Sequence, residues 1–172
     1  IDKAKDSMER LSDIMLRFNE GQKKFNKNLD FCLENGFSVK HSQVKSSIKQ
    51  FSKILNSTAL EFEKEINVFS DTFAIGINAF EKLTLIDFEL TKNYENLQIN
   101  FDRLTNFETS INFTLENMKS FRNTISAFPR NFPLLKTAKN NFLETLNLMI
   151  SEFKEAQERN QNFYKALDRI LN

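Results

Sequence analysis

Apolar residues recur at alternating steps of four and three through the first segment of the chain. A single polar residue, Gln22, interrupts the repeat. The members of the repeat are Ala4, Met8, Leu11, Met15, Phe18, Phe25, Leu29 and Cys32. Such a heptad pattern is typical of a helix that packs along another helix. Because Asn35-Gly36 supplies the residue types that end helices in the left-handed conformation, we predict a first helix over about residues 3–33.

The second segment carries a longer repeat of the same kind. Its positions are Val44, Ile48, Phe51, Leu55, Phe62, Ile66, Phe69, Phe73, Ile77, Phe80 and Leu83, continuing less regularly to Leu104. No proline interrupts residues 40–128, but one helix of that length would span about 130 Å and leave phenylalanines unpaired. We therefore expect a reversal at 105–107, where Thr105-Asn106 is a pair of poor helix formers. This predicts a second helix over 41–104 and a third over 108–171.

Two prolines interrupt the third helix. Pro129 and Pro133 cannot both lie inside an unbroken helix, which predicts a break at 129–133. The repeat that follows is the most regular in the chain, with Asn160 as its polar exception. It runs through Phe142, Leu146, Met149, Phe153, Ala156, Asn160, Phe163, Leu167 and Ile170. An asparagine at such a position is typical of a residue that fixes helix register.

The helix lengths suggest how the chain folds. Two arms of equal length flank the predicted reversal, and Gly76 in one arm falls opposite Pro133 in the other. Paired weak points of this kind favour a bent hairpin, because packed helices must bend together. We predict one domain over residues 1–172, of the all-α class. Its expected architecture is an elongated antiparallel three-helix coiled-coil bundle with kinked long helices.

Composition supports the helical interpretation and limits the functions. The chain has 19 Phe, 3 Gly and 2 Pro, which suits a helical core with few turns. The 24 basic and 23 acidic residues nearly balance, so composition does not favour a nucleic-acid partner. Since no apolar run approaches the length of a membrane span and no signal-peptide pattern is present, we expect a cytoplasmic domain.

The residue types needed for catalysis are scarce. His41 is the only histidine and Cys32 the only cysteine, which excludes a multi-cysteine or multi-histidine metal site. His41 fits a surface or capping position, and Cys32 lies in the apolar repeat as a small hydrophobe. We expect the alternating carboxylates of Glu61, Glu63 and Glu65 to lie on the solvated surface. We expect no catalytic, cofactor or metal site, and no enzyme activity.

Several apolar residues lie off the main repeat and require a second neighbour. They are Phe31, Ile86, Phe88, Leu90, Ile99, Phe107 and Phe113. The neighbour could be the first helix, a second copy of the chain, a partner protein or lipid. Near the predicted reversal, Phe107, Ile111 and Phe113 form a candidate tip for contact with a partner or lipid.

Four stretches of the chain resemble parts of BAR domains of the Arf-GAP and sorting-nexin type. They are Ser47–Leu55, Phe80–Leu83, Asp87–Glu95 and Phe163–Leu167. The resemblance covers most of the chain and implies a homodimeric crescent. It also implies binding to curved anionic membrane through basic surfaces, as a peripheral cytoplasmic protein.

The charge distribution departs from that family, because the segment 76–129 has five basic against seven acidic residues. Attraction to anionic lipid is worth about 1 kcal/mol for each well-placed basic residue, so a membrane face must lie elsewhere. The candidate membrane face consists of Lys45, Lys49, Lys53, Arg130, Lys136 and Lys139.

Three other functions remain open. Long bent helices also occur in the V-shaped domain of ESCRT-associated adaptors, which binds peptide motifs in an apolar groove. The second is the four-helix ligand-sensing bundle of a bacterial chemoreceptor. The third is a lipid-carrying bundle lined by phenylalanine.

Overall fold

The computed structural model describes the backbone of residues 1–34, 37–127 and 133–172, and the side chains there except 26, 28–34, 37–44 and 133–134. The described chain forms four helices: α1 (Asp2–Glu34), α2 (Phe37–Thr91), α3 (Tyr94–Ser126) and α4 (Pro133–Leu171). The all-α prediction is confirmed. The bounds of α1 agree with the predicted first helix.

The predicted reversal at 105–107 is wrong. Thr105 and Asn106 lie inside α3, flanked by Leu104 and Phe107, which are both buried. Burial of these neighbours outweighs the weak helix propensity of the polar pair. The chain instead turns at Lys92-Asn93, where Lys92 has a left-handed φ of 51°. Asn93 then caps α3, because its Oδ1 accepts a hydrogen bond from the Asn96 backbone amide at 3.2 Å.

The predicted break at the prolines is a second reversal. Residues 128–132, which include Pro129, lie outside the described residues, and Pro133 is the first residue of α4. At a helix start, proline loses no intrahelical hydrogen bond. Contacts of Arg122 with Asn147 and of Asn112 with Gln157 show that α3 and α4 run antiparallel. The described chain thus has four helices where the sequence predicted three.

Gly76 does not lie opposite Pro133. It lies where Ile1 meets α2, and a Cβ at Gly76 would come 2.5 Å from the Ile1 backbone nitrogen. Glycine at this position permits the close approach of two backbones.

The four helices enclose a phenylalanine-rich core. The helices are ordered α1, α2, α4, α3 around the bundle, so that α2 packs against α1 and α4, and α3 packs against α4 and α1. At the centre, Phe62 contacts Phe121 at 5.5 Å and Phe142 at 5.6 Å between ring centroids. Phe18 of α1 joins the same group, with its ring 5.1 Å from that of Phe121.

The number of helices changes along the molecule. Since α4 runs parallel to α2 with Phe69 stacked on Phe153 at 4.1 Å, its start at Pro133 lies beside about residue 50 of α2. Among the described residues, the part of α2 before about residue 50 therefore has α1 beside it and no other helix. At the opposite end Ile1 lies against Gly76, and the described residues beyond this point belong to α2, α3 and α4. We call this part the three-helix end: residues 77–91, 94–108 and 157–171.

Candidate functional site

Three lysines of the candidate membrane face form a stripe on α2. Lys45, Lys49 and Lys53 are spaced four residues apart and are all exposed. Residues four apart lie one above the other on a helix. The structure therefore brings these three predicted residues together.

The stripe is exposed because of where α4 begins. Ser70, Asn78 and Glu81 of α2 hydrogen-bond to residues of α4. At about 100° per residue, the lysine stripe lies on this same side of α2. The first residue of α4 lies near the level of Lys53. The lysine stripe therefore extends beyond the start of α4, where no residue of α4 covers it.

Further lysines lie on the neighbouring stretch of α1. Lys23, Lys24 and Lys27 are exposed, and Phe25 between them stacks on Phe51 of α2 with ring centroids 4.4 Å apart. We call the stretches 23–27 and 45–53 the lysine arm. They contain six lysines and no acidic residue, and none of the six forms an ion pair within the described chain.

The other members of the candidate membrane face differ in their surroundings. Lys136 is exposed near the start of α4. Lys139 is buried, and its Nζ donates a hydrogen bond to the Ser126 carbonyl oxygen at 2.8 Å. It thereby helps to join α4 to the end of α3, so its assignment to the surface is wrong. Arg130 lies outside the described residues.

The candidate tip is not a tip. Phe107, Ile111 and Phe113 lie within α3. Phe107 and Ile111 are buried, and Phe107 stacks on Phe73 with centroids 5.8 Å apart. Phe113 alone is exposed, to 64%, and lines a shallow groove between α1 and α3.

The three-helix end exposes aliphatic side chains instead. On α2, Leu83 is 67% exposed and Leu90 is 80% exposed. Ile75, Ala79 and Ile86 are also exposed. Together these five residues fall within about a quarter of the helix circumference, and we call them the apolar stripe.

Sequence reasoning identified Ile86 and Leu90 as needing a neighbour but assigned Leu83 to the core. In the structure Thr84 takes the core position, and its Oγ1 is 3.3 Å from the Asn100 side-chain nitrogen. The sequence did contain a pattern that predicts this row, because apolar residues recur at steps of four, four, three and four from Ile75 to Leu90.

Three acidic residues of α2 form ion pairs with neighbouring helices. Glu61 pairs with Arg17 at 3.1 Å and Glu65 with Arg10 at 2.8 Å, which joins α2 to α1. Glu81 pairs with Arg159 of α4 at 3.0 Å, and its hydrogen bond raises the pKa of that guanidinium. In the described part of the chain, no group of three or more metal-binding side chains is present. The side chains of Cys32 and His41 lie outside the described residues.

Asn160, the polar exception in the repeat of α4, is fully buried in the three-helix end. Its side-chain nitrogen donates to Glu108 Oε2 at 2.8 Å, while its Oδ1 has no hydrogen-bond partner. Glu108 also accepts a hydrogen bond from Gln161 at 2.8 Å. These hydrogen bonds fix the position of α4 along α3, as expected of a residue that fixes helix register.

No family model, no curated protein and no solved structure matches the chain. Within the described ranges, no helix has a stretch long and apolar enough to cross a bilayer.

Proposed function

We propose that this chain is a non-enzymatic helical scaffold that binds an anionic membrane surface through the lysine arm, in a BAR-like manner. The observation that carries the proposal is the exposed stripe of Lys45, Lys49 and Lys53 beyond the start of α4. Six exposed lysines lie in the two stretches 23–27 and 45–53, which themselves contain no acidic residue.

The physical basis is long-range attraction to negatively charged headgroups. Each lysine near an anionic bilayer contributes about 1 kcal/mol, within a distance of about 10 Å at ordinary salt. The Phe25–Phe51 stack supports this role because it holds the two lysine-bearing stretches against each other. A phosphate-bearing bilayer can contact several of these side chains at once, since Lys45, Lys49 and Lys53 lie in one exposed row on α2.

The experiment is vesicle co-sedimentation with the triple variant Lys45→Glu, Lys49→Glu, Lys53→Glu. We expect binding to vesicles containing phosphatidylserine to weaken by at least about 100-fold. Wild-type binding should fall as salt rises and be absent on vesicles of phosphatidylcholine alone.

A matched control places the same charge change elsewhere. Lys3, Lys154 and Lys165 are equally exposed but lie outside the lysine arm. Reversing them alters net charge identically and should reduce binding far less. Equal losses in both triple variants would reduce the effect to net charge and overturn the proposed site.

The protein-binding alternative has its own observation, which is the apolar stripe on α2. If wild-type protein ignores anionic vesicles at low salt, an adaptor that binds protein through apolar contacts becomes the better description. Pull-down with the apolar stripe intact and disrupted by Leu83→Glu would then test it.

A further inference from the structure

A groove runs between α1 and α3, which pack less closely than the other neighbouring helices of the bundle. Its two hollows have volumes of about 530 and 350 Å³ and meet at Ser12 and Phe113. On α1 the groove extends from Lys5 to Asn19, which is about 21 Å of helix. It is therefore long enough for about four turns of another helix.

The floor of the groove is apolar, and each of its two walls exposes a large hydrophobic residue. Met8, Met15 and Phe121 are buried at its base. Leu16 on the α1 wall is 62% exposed, and Phe113 on the α3 wall is 64% exposed. Exposed apolar residues that line one groove are typical of a surface that binds a helix. The flexible methionine side chains at the base can adapt to such a partner.

The charges along the groove indicate the chemistry of that partner. Glu9 and Asp13 line the groove on α1, together with Lys5. Asp6 and Glu20 extend the acidic row along the same side of α1. All four carboxylates are exposed and form no ion pair within the described part of the chain, and the lining residues of α3 are uncharged. An acidic edge beside an apolar groove fits a cationic amphipathic partner and disfavours an anionic bilayer.

We propose that this groove binds a basic amphipathic helix of a partner protein, which lies along α1 and α3 as a fifth helix. The apolar side of the bound helix covers Leu16 and Phe113, and its lysines or arginines lie beside Glu9 and Asp13. The proposal does not rest on membrane binding, because the groove and the lysine arm share no residue.

The test is fluorescence anisotropy with a labelled model peptide and no vesicles. The peptide has about 15 residues, contains only leucine and lysine, and carries its leucines three and four residues apart. We expect the chain to bind it at least about tenfold more tightly than a counterpart in which glutamate replaces every lysine. A scrambled lysine peptide of the same composition should also bind at least about tenfold more weakly, because its leucines do not form one helix face.

Neutral substitutions on the two walls test the apolar contacts. Leu16→Gln should weaken binding of the lysine peptide by at least about tenfold, because a polar amide replaces a leucine that the bound helix covers. Phe113→Gln should have the same effect from the opposite wall. The control Leu148→Gln changes a leucine of similar exposure, 69%, on α4 and should leave binding unchanged. Circular dichroism of each variant confirms folding.

A charge reversal tests the acidic edge without touching apolar residues. Glu9→Lys combined with Asp13→Lys should weaken binding of the lysine peptide by about tenfold and strengthen binding of the glutamate peptide. The control pair, Glu63→Lys with Asp71→Lys, changes net charge identically at exposed carboxylates of α2 that form no ion pair among the described residues. Its effect on either peptide should be much smaller.

Three outcomes would overturn the proposal. The first is a chain that does not bind the lysine peptide, and the second is equal affinity for the lysine and glutamate peptides. The third is binding that Leu16→Gln and Phe113→Gln leave intact; its loss in Leu83→Gln would then place the peptide on the apolar stripe. Because the assay contains no vesicles, failure here leaves membrane binding by the lysine arm to its own test.

Discussion

The two ends of this molecule expose opposite kinds of surface on the same helix, α2. At the lysine arm, α4 begins too late to cover α2, and the uncovered face carries lysines. At the three-helix end, the exposed face of α2 beyond Gly76 carries leucine and isoleucine. Exposure along a helix therefore does not by itself indicate a polar surface. The residue types on the uncovered face decide whether water or another molecule completes it.

The largest effect should separate the two kinds of leucine within the three-helix end. Leu104 is fully buried, and Leu104→Ala should lower the free energy of unfolding by about 2–5 kcal/mol through lost burial and a cavity. Leu83→Ala, at 67% exposure, should change it by less than about 0.5 kcal/mol at concentrations where the chain is monomeric. Urea unfolding measures both. Similar losses would show that Leu83 belongs to the core.

The next prediction concerns the lysine arm, whose few contacts should make it the less stable end. Phe25→Ala removes the stacking partner of Phe51 and should cost about 3 kcal/mol locally. Amide hydrogen exchange should accelerate in the lysine arm while the three-helix end keeps its protection. Uniform acceleration along the whole chain would contradict the view that the ends open independently.

The turn between α2 and α3 closes the three-helix end, and its cap should matter moderately. Asn93→Ala removes the acceptor for the Asn96 backbone amide and should destabilise the protein by about 1 kcal/mol. The control Asn93→Asp keeps an acceptor at the helix start and should be neutral or slightly stabilising. Thermal unfolding at one protein concentration compares the three proteins.

The smallest effect is expected at the neighbouring residue. Lys92 has a φ of 51°, so Lys92→Gly should relieve backbone strain and stabilise the protein by up to about 1 kcal/mol. The same change at Lys82, inside α2, should destabilise by about 1 kcal/mol. If both variants lose stability equally, the turn does not depend on the left-handed residue.

Part of this structure could be read from the repeat of apolar residues. The repeat predicted α1 with bounds close to those observed, and the buried row in α4 contains Phe142, Leu146 and Phe153 as expected. Local chemistry carried these predictions, because an amphipathic helix buries the same face whichever helix lies beside it. The sequence also identified the lysine stripe, because the position of these lysines on one face depends only on their spacing along one helix.

The position of the first reversal could not be read in the same way. Thr105-Asn106 and Lys92-Asn93 are both polar pairs of modest helix propensity. Burial of Leu104 and Phe107 keeps the first pair helical, and that burial exists only when α3 packs on α2 and α4. The same contacts separate Lys139, which is buried against Ser126, from the lysines that stay exposed.

By itself the sequence determined an all-helical chain, most of the faces that α1, α2 and α4 bury, and the spacing of its lysines. Those features follow from periodicity, which is a property of single helices. The tertiary structure decided where the chain turns and where α4 begins along α2. These depend on contacts between residues far apart in sequence, and they determine that lysines are uncovered at one end and aliphatic side chains at the other.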